Sequence, residues 1–119
     1  MIVVDASVLI AFLDRADAHH EAAVEWLADA TPPLVVHPIT LAEVLVAPTR
    51  NGSAEQAWTV LQSIGVELHT EPTDPLELAR LRVDTGLRMP DCCVVDAARQ
   101  LGCLVATFDE RLRRASATG

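Results

Sequence analysis

Four short aliphatic runs recur along the chain, at residues 2–4, 34–36, 66–69 and 104–106. Each is too short to be a buried helix, and each is separated from the next by segments with helical spacing. Strands joined through helices cannot pair as hairpins. They need crossover connections, which produce a parallel sheet with helices on both faces. That single feature selects an α/β fold. With 119 residues, one domain is expected, covering residues 1–115, with a frayed tail at 116–119.

The intervening segments read as helices over 7–13, 18–30, 39–47, 53–64, 75–85, 90–101 and 109–115. In the second, Ala22, Ala23, Trp26 and Leu27 recur at three- and four-residue spacing, and in the fifty-to-sixty region Ala57, Val60, Leu61 and Ile64 do the same. Pro48 and the Arg50-Asn51-Gly52 turn are expected to stop the 39–47 helix. Ser53 is expected to cap the next one, and Asp74-Pro75 has the form of a helix start. Trp26 and Trp58 read as packing residues. Cys92, Cys93 and Cys103 show no zinc spacing and read as small buried hydrophobes.

In open parallel sheets, ligands bind outside the carboxyl ends of the strands. Asp5 ends the first run and Asp109 follows the last, so both belong to that edge. Two more acids sit in helices among apolar neighbours. Glu43 has Ile39, Val46 and Ala47 at helical spacing, which implies partial burial or a position at a pocket mouth. Asp91 follows Pro90 and precedes Cys92-Cys93-Val94-Val95. Each acid has an ordinary structural role open to it: a cap for Asp5, a helix-dipole interaction for Asp91, an Asx turn for Asp109.

Together they say more. Two carboxylates about 4 Å apart repel by about 4 kcal/mol at an effective dielectric near 20. The net charge is −8 and there is no Lys; every fixed positive charge is an Arg. Near Asp5, Glu43 and Asp91 the sequence offers only Arg88. A hard cation held by oxygen ligands, Mg²⁺ or Mn²⁺, is the economical neutraliser. Carboxylate-bound metal of this kind equips a site for phosphoryl chemistry without a nucleophilic side chain. No GxSxG, GxxxxGK[ST] or GxGxxG motif points elsewhere.

The acids in Val4-Asp5-Ala6-Ser7, the helical Glu43, Asp91 at a helix start and Thr107-Phe108-Asp109 after the last strand resemble a PIN domain. The small single-domain size is similar to the VapC-type toxins of bacterial toxin–antitoxin pairs. The resemblance implies a metal-dependent endoribonuclease, with a sheet ordered 3-2-1-4, a small cognate antitoxin that blocks the site, and often a homodimer. It assigns the acidic roles to Asp5, Glu43, Asp91 and Asp109, with Ser7 and Thr107 in support. Many relatives carry a further acid two residues after the last Asp; here that position is Arg111, with Glu110 adjacent.

Asp96 lies five residues after Asp91, about 140° around a helix, and reads as part of a solvated stripe with Arg99 and Gln100. Arg50 and Arg88 are candidates to touch RNA phosphates, with Arg111, Arg113 and Arg114 behind them. His19, His20, His37 and His69 have no ligand spacing with the acids, and His19-His20 is expected at the surface.

The apolar run at 8–13 is short and no basic residue precedes it, so it does not read as a signal peptide. No run approaches the roughly 18 apolar residues that span a bilayer. A cytoplasmic protein with no membrane association is expected. Two other classes compete with the nuclease. A signalling receiver domain shares the fold type and an acidic pocket but relies on a Lys that this chain lacks. A catalytically silent PIN-like module would dock a partner without needing all four acids.

Overall fold

The computed structural model describes residues 1–117. Strand β1 (Ile2–Val4) leads into α1 (Ala6–Leu13) and α2 (His20–Asp29), then β2 (Leu34–Val36). Helices α3 (Pro38–Val44), α4 (Val46–Arg50) and α5 (Ala54–Ser63) connect to β3 (Val66–Leu68). Helices α6 (Pro75–Thr85) and α7 (Met89–Leu101) precede β4 (Leu104–Ala106), and α8 (Glu110–Ala117) follows it. The strands are all parallel and lie in the order β3-β2-β1-β4. This is the expected α/β architecture and strand order.

Side-chain alternation along each strand divides the core in two. Val3, Val35 and Val105 face α6, α7 and α8, where Leu81, Val94, Val95 and Leu112 are buried. Val4, Leu34, Val36 and Ala106 face the other way, against Val8, Leu9, Leu27 and Leu61 from α1, α2 and α5. Each strand has only three residues. The two apolar layers therefore hold the sheet more than its own ladder does. The core is aliphatic, with Trp26 and Trp58 packed at its margin as the sequence reading of both residues anticipates.

Local chemistry explains most element ends. Asp74 caps α6, its Oδ1 accepting from Leu76 N at 2.9 Å, with Pro75 opening the helix. Gly86 ends α6 at φ 70° and Gly102 ends α7 at φ 64°, both left-handed positions where a side chain would be strained.

Three details differ from the sequence reading. Pro48 does not stop a helix; it lies within α4. A proline here removes the N–H that would pair with Val44, so the break falls earlier, at Leu45, and Pro48 occupies the first turn of a new helix where its N–H is not needed. Ser53 precedes α5 but does not cap it with its hydroxyl, which donates instead to Asn51 Oδ1. The last helix continues to Ala117, so Ser116 and Ala117 are helical rather than frayed, and 118–119 lie outside the described residues.

Candidate active site

Asp5 immediately follows the central strand β1 and is 7 % exposed. It stands at the N-cap position of α1, yet its side chain makes no capping hydrogen bond. Its Oδ2 instead accepts from two hydroxyls: Ser7 Oγ at 2.9 Å and Thr107 Oγ1 at 2.7 Å. Each hydroxyl then accepts a backbone N–H from the end of β4. Phe108 N donates to Ser7 Oγ at 3.1 Å, and Asp109 N donates to Thr107 Oγ1 at 3.0 Å. A backbone bond from Asp5 N to Ala106 O, 2.9 Å, completes the join. A hydroxyl can donate its proton and accept at the same time, so each side chain bridges the two loops. The result ties the loop after β1 to the loop after β4.

Thr107 is fully buried at the centre of this join. Thr107→Val keeps the shape and removes the hydroxyl. It should cost about 1.5–3 kcal/mol of stability, as expected for a bond to a charged group. Denaturant titration measures it.

The other acids arrive from three elements. Asp109 precedes α8, and its Oδ1 accepts from Arg111 N at 2.9 Å and Leu112 N at 3.3 Å. The Asx turn open to it is therefore formed, beside its place at the end of β4. Asp91 lies in the first turn of α7, with Arg88 Nε 3.8 Å from its Oδ2. Glu43 lies near the end of α3 and is exposed. It also lines a groove of about 540 Å³ formed with Ile10, Leu13, Val44, Ala57 and Val60, which is the pocket-mouth position anticipated above.

The acids act on one another electrically. Burial raises the Asp91 carboxyl above its ordinary range, and the charges of Asp5 and Asp109 push it further, against Arg88 and Arg111. Partial desolvation raises Glu43, and the charges of Asp91 and Asp5 add to this, against Arg88. Asp91 thus links the set, feeling Asp5 and Asp109 and acting in turn on Glu43, which also feels Asp5. Among the described residues, no three His, Cys, Asp or Glu side chains close into a ready-made ion cage. An all-oxygen, mutually repelling donor set still suits a hard cation that keeps several of its own waters.

The candidate cationic residues divide. Arg88 sits beside Asp91; the guanidinium of Arg50, at the end of α4, has no ion pair or hydrogen bond among the described residues. Arg111 acts on Asp91 and its Nη2 lies 3.5 Å from Thr85 O. Its charge at the site was not foreseen, because the partner arrives from the distant α7. Glu110 pairs with Arg113 at 3.4 Å, so its carboxylate is drawn along α8. Arg113 also holds Thr107 O at 2.8 Å through Nη2.

Asp96 corrects the sequence reading: it is buried, not part of a solvated stripe. Burial raises its carboxyl, Glu77 and Asp74 reinforce this, and His69 and Arg99 oppose it. His37 and His69 are also buried, with rings 5.8 Å apart. His37 Nδ1 caps α3 by accepting from Ile39 N at 3.0 Å. A histidine cap has little sequence signature, since Ser, Thr, Asp and Asn dominate that position. Cys92 and Cys93 are buried as expected; Cys103 is partly so.

A parallel sheet with acids gathered at its carboxyl edge defines a class of acidic-site α/β domains. The family model for the PIN domain matches residues 2–117, and the chain belongs to that family. The fold is similar to that of VapC20 from Mycobacterium tuberculosis, a toxin that cleaves the sarcin–ricin loop: TM-score 0.75, 21 % identity, 100 % of this chain and 95 % of that one. It is similar to a chain of a toxin–antitoxin complex from Klebsiella pneumoniae, with TM-score 0.77, 19 % identity, and 92 % and 87 % coverage. FitAcB from Neisseria gonorrhoeae gives TM-score 0.67, 18 % identity, and 98 % and 94 % coverage. Comparison with curated proteins gave no significant match.

Proposed function

We propose that this protein is a Mg²⁺- or Mn²⁺-dependent endoribonuclease, the toxin of a type II toxin–antitoxin pair. The observation that carries the reading is the chain of mutual repulsion that runs from Asp109 through Asp91 and Asp5 to Glu43 in a PIN-domain sheet. These four side chains would hold the metal, and the metal supplies an activated water and a counter-charge for the leaving oxygen. Ser7 and Thr107 fix the Asp5 carboxylate, and so hold one oxygen in a set direction. Arg88 places positive charge beside the acids, suited to a phosphate of the substrate. Arg50 lies farther along α4 and would act on a more distant phosphate.

A small antitoxin is the expected protein partner. The groove that Glu43 lines is mostly apolar, which suits an amphipathic segment packed beside the acids. A homodimer and a cytoplasmic setting complete the proposal; no helix among the described residues is long and apolar enough to cross a membrane. The silent-module alternative gains nothing from the geometry, since a docking role needs no mutually repelling acids.

Expression in a bacterial host tests the reading. Growth arrest with newly mapped RNA 5′ ends is expected, and a small protein encoded beside this one should co-purify with it and relieve the arrest. Intact RNA in cells making the folded protein would count against it.

A further inference from the structure

Beside the carboxylates lies an aromatic feature that the reaction chemistry does not use. His19 stacks on Phe108 with ring centroids 4.7 Å apart and planes inclined by 22°. Trp26 closes on Phe108 as well, at 5.7 Å and 59°. His19 and Trp26 are seven residues apart, two turns along one face of α2, with Phe108 between them.

Phe108 is not placed casually. It stands between Thr107 and Asp109, and its N–H is held by Ser7 Oγ at 3.1 Å. Its backbone therefore belongs to the join that anchors Asp5. His19 is also held: its N–H donates to Asp17 Oδ1 at 2.8 Å, and its carbonyl accepts from Ala23 N at 2.9 Å. The other end of α2, at Trp26, Asp29 and Ala30, lies by Met1 and Ile2 at the amino edge of the sheet. The start of α2 is thus directed to the carboxyl edge, where the acids are.

His19 is exposed although Phe108 covers one ring face. Its outer face meets solvent, on a ring whose backing is fixed by Phe108 and Trp26. A flat, rigidly backed ring beside a phosphodiester-cleaving centre suits a nucleobase, because every base offers a π-face to stack. We propose that His19, seated on Phe108, is the stacking platform for an unpaired base of the RNA next to the scissile phosphate. This rests on the ribonuclease reading above. The platform fixes where the strand lies against the acids and takes no part in proton transfer.

The test uses the full chain with Mn²⁺ and a mixed-sequence pool of single-stranded fluorophore–quencher oligoribonucleotides. His19→Ala should raise KM by about tenfold, within the range for losing one base–aromatic stack, with kcat little changed and the melting temperature retained. His19→Phe should restore KM, since it keeps the flat ring. An unchanged KM in His19→Ala overturns the proposal. So does a fall in kcat that His19→Phe does not repair, which would mark proton transfer. So does unchanged RNA cleavage with weakened antitoxin binding, which would mark a protein-docking ring. If the native protein cleaves none of the pool, the ribonuclease reading fails and this proposal falls with it. Cleavage by the native protein with an indifferent His19→Ala removes this proposal alone.

Discussion

Asp5→Asn is expected to reduce RNA cleavage by on the order of a thousandfold or more. The substitution keeps the shape, and an amide oxygen can still accept from Ser7 and Thr107, so the join between β1 and β4 survives. What it removes is the charge at the centre of the acidic edge. Metal-supplied stabilisation of a phosphoryl transition state is worth several kcal/mol, and each decade of rate corresponds to about 1.4 kcal/mol. The melting temperature should not fall with the activity. It is expected to hold or rise in metal-free buffer, because Glu43 and Asp91 each lose a repelling neighbour. Rate and thermal melt are measured on the same preparation. Near-native cleavage by a folded Asp5→Asn protein would show that chemistry occurs elsewhere.

Removal of divalent ions has the second large effect expected. Dialysis against EDTA should abolish cleavage, and Mn²⁺ should restore it. Stability carries a separate sign. Glu43 and Asp91 titrate above their unfolded values in the metal-free protein. Their contribution to stability is therefore present at acid pH, below the unfolded carboxylate range, and lost as pH rises through the raised folded values. At neutral pH the bare site costs stability, and Mn²⁺ should raise the melting temperature by binding only the folded form. That rise should shrink as pH drops toward the carboxylate range and protons compete for the same oxygens. Calorimetric scans with and without Mn²⁺ across this range measure it. An equal rise for Asp5→Asn would locate the ion away from the acids.

Much of this architecture is legible in a single chain because it depends on local pattern. The aliphatic runs at 2–4, 34–36 and 104–106 became strands at those positions, since a buried parallel strand is recognisable by continuous apolar content. Asp74-Pro75 and Gly86 bound α6 for reasons confined to a few residues. The expectation that Asp5, Glu43, Asp91 and Asp109 gather at one edge came from the sheet-edge rule and from the family resemblance, not from spacing alone. What escaped depends on distant partners. Asp96 looked solvated beside Arg99 and Gln100, but α6 and His69 close over it. Arg111 read only as a candidate for RNA phosphates, and its action on Asp91 depends on α7 bringing that carboxylate into range. His37 became a cap only because Pro38 starts a helix straight after β2. The Pro48 expectation was a rule applied one turn late: the residue that breaks a helix is not always the residue at the break.

The two sides of the acidic edge differ in how firmly they are held. Asp5, Thr107 and Asp109 are tied together by side-chain and backbone bonds at the middle of the sheet. Glu43 stands near the end of a seven-residue helix just before the Leu45 break, and no hydrogen bond or ion pair fixes its carboxylate among the described residues. The edge therefore has a fixed frame on one side and, on the other, a carboxylate carried by a short helix that ends at Leu45. Imprecision in the frame would reach every bond made there, whereas a shift at Glu43 would stay with that one side chain.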